Sequence, residues 1–448
     1  GTSALYWLAG TDDGRELLGR HPSLREKITQ RGLNHVVSSG KNTGKSALYR
    51  LAGTHDGLEL LFNHPSLSEK ITPQGLNHVI ASGEYAGESA LFWLARVEQG
   101  RSVLTADDGR LIEMISEDAL NAMIDSGEYA GDSALLWLAG ADDGPELLFH
   151  HPSLREKITP QGLNHVIASG GSAGESALFW LAGHEQGRSV LTADSGRLIE
   201  MISEDALNAM IDSGESAGES ALLWLAGTDD GRELLFHHPS LREKITPRGL
   251  NHVIDTGPNA GKSALLLLAG HKQGRSVLTA DDGRLIEMIS EDALNAVIAT
   301  GPDAGKSAMY CIAGTDDGLE LLFHHPSLRE KITPQILNHV IASGERGLNF
   351  LMAFKEVVQA KLTLSDFMVP LHKLPEAGLQ CMLELYCDAE QSMMLKEDSQ
   401  ATLCDLLAST EAGRSLLNLL APENTLVAHQ GLFASAASGN GLVSPRNH

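Results

Sequence analysis

Three clusters in this 448-residue sequence bring together residue types that could do chemistry. The first is Gly257-Pro258-Asn259-Ala260-Gly261-Lys262-Ser263, with close copies at residues 40–46 and 301–307. Two glycines ahead of a Lys and a hydroxyl make up a phosphate-cradling loop, where bare backbone N–H groups and the ammonium gather phosphate oxygens. That loop sets four residues between its glycines and follows a strand, whereas here there are three and a helical stretch comes first. In sister copies a carboxylate stands where the Lys must be, as in Gly174-Glu175-Ser176, and would repel phosphate. The reading is a helix end, a turn and an N-cap Ser for the next helix, with no nucleotide cofactor.

The second cluster is histidine. His237, His238 and His252 fall within one stretch, as do His150, His151 and His165. Metal binding needs converging ligands, usually with a carboxylate or thiolate among them. The simpler reading puts His237 and His238 at a helix C-terminus, where imidazolium suits the dipole. The third cluster is Asp-Asp-Gly, at residues 107–109 and 229–231. A calcium loop carries about six oxygen ligands at fixed offsets ending in a Glu. That series is missing, so these are turn and N-cap residues. A catalytic set should occur once, in a singular context. Here nearly every polar residue recurs as a copy, so neither an enzyme nor a metal site is expected.

The copies define the elements that must position these residues. The motif G-x-S-A-L/M-x-x-L/I-A starts at Gly1, Gly44, Gly87, Gly131, Gly174, Gly218, Gly261 and Gly305, giving eight units of 43 or 44 residues. The shorter type carries H-P-S-L-x-E-K-I-T and the longer G-R-S-V-L-T-A-D-x-G-R-L-I-E-M-I-S-E-D-A-L-N; after the first unit they alternate. Repeats of this length mean stacked supersecondary units rather than separate domains.

Each unit reads as three helices. Ser176 to Ala182 is apolar on nearly all faces and should be the buried inner helix. Gly231 to His237 forms the second; His238-Pro239-Ser240 interrupts it, and Ser240 is placed to cap a short turn through Ile245. The third opens at Thr246-Pro247, an N-cap followed by a favoured first-turn Pro, and Leu250, Val253 and Ile254 make one apolar stripe. In the longer type Ser203-Glu204-Asp205 opens this helix with acids that suit its dipole, and Gly214 or its equivalent ends it. No unit can bury its stripes alone, so an all-α solenoid is predicted. Residues 1–344 form the eight repeats. Residues 345–431 hold degenerate helical copies near Gly378 and Gly413 that cap the array, and residues 432–448 are a flexible tail. The chain opens inside a repeat at Gly1, as a trimmed chain would.

The formal net charge is −24, which disfavours polyanions and anionic membranes and favours a basic protein partner. The four cysteines, Cys311, Cys381, Cys387 and Cys404, form no C-x-x-C pair, and the first 310 residues have none, which fits a reducing compartment. No stretch approaches the ~20 apolar residues of a membrane span. Trp7, Trp93, Trp137, Trp180 and Trp224 share one repeat position, taken by Arg50, Leu267 and Cys311 elsewhere. A position that accepts Arg is not fully buried in every unit, so both inter-repeat packing and an aromatic binding row are open.

Most positions barely change between copies; the turn before each anchor does. It reads Lys41-Asn42, Glu84-Tyr85, Glu128-Tyr129, Gly171-Ser172, Glu215-Ser216, Pro258-Asn259 and Pro302-Asp303. These pairs are the candidate ligand contacts. Ile158-Thr159-Pro160-Gln161 through Ile167-Ala168-Ser169, the variable pair, then Gly174-Glu175-Ser176-Ala177-Leu178 resembles a repeat of transcription-activator-like effectors. That resemblance implies a right-handed α-solenoid wrapped on DNA, each pair reading a base, in a bacterial effector working in the cytoplasm of a host cell. The units here are longer than that family's, and its phosphate-facing Lys survives only as Lys45, Lys262 and Lys306; Glu88, Asp132, Glu175 and Glu219 replace it. Residues 174–217 hold eight acids against two bases. Armadillo and HEAT arrays, which mostly bind proteins, are an equal architectural analogy. A protein-binding scaffold is therefore the first expectation and a nucleic-acid-reading array the alternative.

Overall fold

A computed structural model describes residues 2–343 and 345–361. The chain divides into two compact units, residues 1–308 and 309–448. Every regular element among the described residues is an α-helix, as expected; one isolated antiparallel bridge joins Met210 and Ser220.

Each repeat has four helical segments, not three. In residues 218–260 they are Ala221–Gly227, Asp229–His237, Pro239–Glu243 and Pro247–Asn251. The first is capped by Ser220, whose hydroxyl accepts from the Leu223 N–H. It buries Ala221, Leu222, Leu223, Leu225 and Ala226. Within residues 1–308 it packs between the same helix of the units before and after. Each fully buried Leu there contributes about 1.5–3 kcal/mol, so this stack is the main source of stability. Thr228 caps the second helix and Thr246 the fourth, with Pro247 in its first turn as expected.

The short third segment is one correction. Ser240 does not cap it; His238 takes that position without a side-chain bond, and Ser240 reaches back to Glu200 at 2.9 Å. Pro239 preorganises the first turn, so the segment forms without a side-chain cap. The 44-residue type makes the same break differently. Helix Glu185–Met201 is interrupted by Asp194, Ser195 and Gly196 in succession at φ of 53°, 60° and 76°. The extra residue of the longer unit is taken up in this left-handed run.

The fourth segment is a larger correction. It ends at Asn251, and Val253 and Ile254 leave the helix. The chain runs extended, turns and comes back on itself: Ile254 N–H donates to Lys262 O at 2.9 Å and Gly261 N–H to Ile254 O at 2.7 Å. Gly214 and Gly257 are therefore turn residues at positive φ, not helix caps. Only in the eighth copy does the helix run on, as Pro334–Ile341.

Asparagines tie each unit to the next. Asn164 Nδ2 donates to Met201 O at 2.7 Å, and its Oδ1 accepts from Ser203 N–H at 2.8 Å. Asn34, Asn77, Asn121, Asn208 and Asn251 repeat this at their own junctions. The bonds satisfy backbone groups at the exposed ends of short helices. Of the region assigned to a cap, helices Glu345–Ala353 and Lys355–Lys361 are described; the copies near Gly378 and Gly413 and the tail from 432 lie outside the described residues.

Candidate functional site

The variable pairs sit in the returning turn, and the fold divides each into two environments. The first members, Lys41, Glu84, Glu128, Gly171, Glu215, Pro258 and Pro302, are exposed. The second, Asn42, Tyr85, Tyr129, Ser172, Ser216, Asn259 and Asp303, are half-buried. Two of these face the residue three positions on, the place of the resembling family's Lys: Asn259 accepts from Lys262 Nζ at 2.8 Å and Asp303 from Lys306 Nζ at 2.6 Å. Tyr85 instead meets the Lys of the preceding unit, Lys45, whose Nζ lies 3.1 Å from its ring centroid.

That third residue begins an inward row. Glu88, Asp132 and Glu219 are only 6, 5 and 3% exposed, and Glu175 is half-buried. The returning turn forces this: the residue's carbonyl accepts the N–H that closes the clasp, and the residue precedes the N-cap Ser of the buried inner helix, so its side chain starts against the core. Burial pushes the Asp132 carboxyl up to about 6, with repulsion from Glu175 adding to it. Burial also raises Glu175. Among the described residues none of the four acids is in an ion pair.

Five positions further on stands the tryptophan position, and the two covary. Trp occurs with Thr2, Glu88, Asp132, Glu175 and Glu219, all acceptors; Arg50, Leu267 and Cys311 occur with the three lysines. The reason is a hydrogen bond that Lys, a donor only, cannot make. Trp93 Nε1 donates to Glu88 at 3.0 Å, Trp180 Nε1 to Glu175 at 3.1 Å and Trp7 Nε1 to Thr2 at 3.2 Å. Trp137 and Trp224 bury the same N–H with no partner, and so does Oε2 of Glu219, whose Oε1 accepts from Asn259 at 2.6 Å. Comparison of the internal copies held this signal, which the sequence reading passed over by treating the two positions separately. Trp7 is 55% exposed and the other four indoles half-buried. Each of Trp93, Trp180 and Trp224 rests against the glycine ending the preceding inner helix, Gly53, Gly140 and Gly183. In one unit that glycine is Arg96, whose guanidinium lies 4.3 Å from the Tyr129 ring centroid, 5.5 Å from Trp93 and 5.3 Å from Trp137.

The histidines do not converge. His238 packs against the left-handed Gly196 of the previous unit, His252 against Gly218, and exposed His237 faces Glu233 at 3.8 Å. Among the described residues no group of three or more His, Cys, Asp or Glu is arranged to hold a metal ion. A second surface feature went unread in the sequence: Phe62, Phe149 and Phe236 are 51, 37 and 41% exposed at one position of the shorter units. Arg188, Thr192, Asp230, Glu233, His237 and His238 line an open depression of about 360 Å³, to which no variable-turn residue contributes. No helix among the described residues is long and apolar enough to cross a membrane. A scan against protein-family models and a search of curated proteins find no match to this chain.

Proposed function

We propose that the chain is a non-catalytic repeat scaffold that binds a protein partner presenting a basic surface. The observation that carries this reading is the run of Asp132, Glu175 and Glu219 in consecutive units, each without an ion-pair partner among the described residues. Carboxylates desolvated without a direct ion pair, Glu175 and Glu219 above all, gain most from a cation brought to them, because interactions strengthen as water is excluded. The chain's net charge of −24 steers basic partners toward it and polyanions away. The indoles beside the acids supply the rigid apolar contact that interface hot spots use.

The second reading is a nucleic-acid-binding array of the transcription-activator-like type. It is favoured by the exposed first members of the variable pairs, such as Glu215 and Pro258. Against it, Lys262 and Lys306 are already engaged by Asn259 and Asp303. The same resemblance suggests a secreted effector acting in the cytoplasm of a host cell.

Surface plasmon resonance on the immobilised full chain tests the proposal with a panel of folded proteins of known charge and a random-sequence duplex DNA. Saturable binding confined to basic proteins is expected. Binding of the duplex with no basic protein retained reverses the two readings.

A further inference from the structure

The inward row carries cations of its own toward both ends. Lys45, Arg50 and Arg96 occupy the N-terminal part and half-buried Lys262 the C-terminal part; Lys306 in the next unit is exposed. Arg50 lies 4.2 Å from the Tyr6 ring centroid, and Arg96 is walled by Trp93, Tyr129 and Trp137. Planar guanidinium stacks on such rings and is weakly hydrated, so it keeps its charge at a modest desolvation cost.

The next two intervals keep the aromatic and acidic parts and lack the cation. Between Trp137 and Trp180 the residue equivalent to Arg96 is Gly140, and between Trp180 and Trp224 it is Gly183. The place of Tyr129 is taken by the smaller Ser172 and Ser216, and Trp180 and Trp224 lie against Gly140 and Gly183. Asp132, Glu175 and Glu219 lie along these intervals. Glu219, nine-tenths buried, has one carboxylate oxygen without a partner, and the adjacent Trp224 has an unpartnered indole N–H.

We infer that residues 132–224 form a docking row for an extended, arginine-bearing segment of a partner protein, each guanidinium taking beside Trp180 or Trp224 the place that Arg96 takes beside Trp137. This rests on the reading of the chain as a binder of basic proteins and specifies its site and chemistry. Exposed Phe149 and Phe236 have no comparable internal occupant to say what covers them.

The test is fluorescence anisotropy of a labelled twelve-residue peptide of alternating Arg and Ser, titrated with the full chain at about 0.15 M salt. Trp180→Leu copies the side chain that Leu267 supplies in a sister unit, and Arg96→Gly copies Gly140, so both replacements are already used by this fold. Trp180→Leu and Glu175→Gln should each weaken binding by roughly tenfold. Arg96→Gly should strengthen it by about threefold, by opening a further interval and removing a competing charge. Circular dichroism checks folding; if Trp180→Leu unfolds, the other two variants decide. If the parent binds and the folded variants match it, the row is overturned while the broader basic-partner reading stands. If the parent binds no arginine peptide, the row is overturned, and the panel of folded basic proteins decides the broader reading.

Discussion

Arg155 reaches across a repeat junction and holds Asp194 through two hydrogen bonds, Nε to Oδ2 at 2.9 Å and Nη2 to Oδ1 at 3.0 Å. Arg242 and Asp281 do the same one pair of units later, at 2.7 and 2.8 Å. At the corresponding earlier junction Asp107 follows a unit with Ser68 in place of the Arg. Asp107 and Asp194 share a left-handed backbone, φ of 51° and 53°, so replacing either by Ala costs the same backbone strain. The difference isolates the pair. Asp194→Ala is expected to destabilise by about 1–3 kcal/mol more than Asp107→Ala, because it leaves a buried guanidinium under-satisfied. Urea midpoints of the two variants check this. Hydrogen bonds from Arg155 hold the Asp194 carboxyl below its usual range. This contribution is therefore full above pH about 4 and is lost as pH falls through the depressed value.

Asp132 has the opposite sign. Burial first, then Glu175, raises its carboxyl to about 6; the Trp137 indole and the Arg96 charge oppose the shift, and Tyr129 also feels its charge. An acid whose folded value exceeds its unfolded one destabilises once ionised, so its contribution improves as pH drops from 7 toward 4. Asp132→Asn should stabilise the chain at pH 7 by up to about 2–3 kcal/mol and flatten its pH dependence between about 4 and 6. Thermal unfolding across that range reads both effects, and an unchanged profile would contradict the burial argument.

Asn164→Ala removes both cross-junction bonds and leaves the Ser203 N–H without its partner. A cost of about 1–3 kcal/mol is expected. In a repeat array the loss should concentrate at one interface. Amide exchange should therefore accelerate around residues 201–208 and stay unchanged two units away.

Gly174 stands at φ 93°, and a Cβ there would meet the Met210 carbonyl at 2.3 Å. Gly174→Ala should cost at least ~1–2 kcal/mol from the backbone alone. Gly170, at φ 100° in open space, has the backbone term without the clash. Urea denaturation should therefore rank Gly170→Ala as the milder variant.

The repeat length, the Ser and Thr caps and the buried inner helix were legible because local chemistry decides them. The fate of the fourth segment was not. Residues 76–83, 163–170 and 337–344 share the sequence LNHVIASG. In the first two the chain leaves the helix at His78 and His165, while the third continues helical to Ile341. Two things differ: Ile336 stands where Gly75 and Gly162 precede the shared stretch, which favours helix, and the sequence that follows changes. Gly87-Glu88 and Gly174-Glu175 supply the carbonyl and N–H that clasp Ile80 and Ile167. Glu345-Arg346-Gly347-Leu348 does not repeat that anchor. The i, i+3, i+4 stripe was a sound local preference overridden by partners some seven residues downstream. The candidate site was half legible for the same reason: the variable pairs stand out in sequence, but the carboxylates turn inward only once that clasp closes.

Two faces of the array offer themselves to a partner, the inward row and the exposed Phe positions. Amide hydrogen exchange of the full chain, free and saturated with the arginine peptide, separates them directly. New protection is expected at residues 171–180 and 215–224, with residues 145–152 and 232–239 unchanged. Protection confined to the segments around Phe149 and Phe236 would rule out the inward row as the docking face.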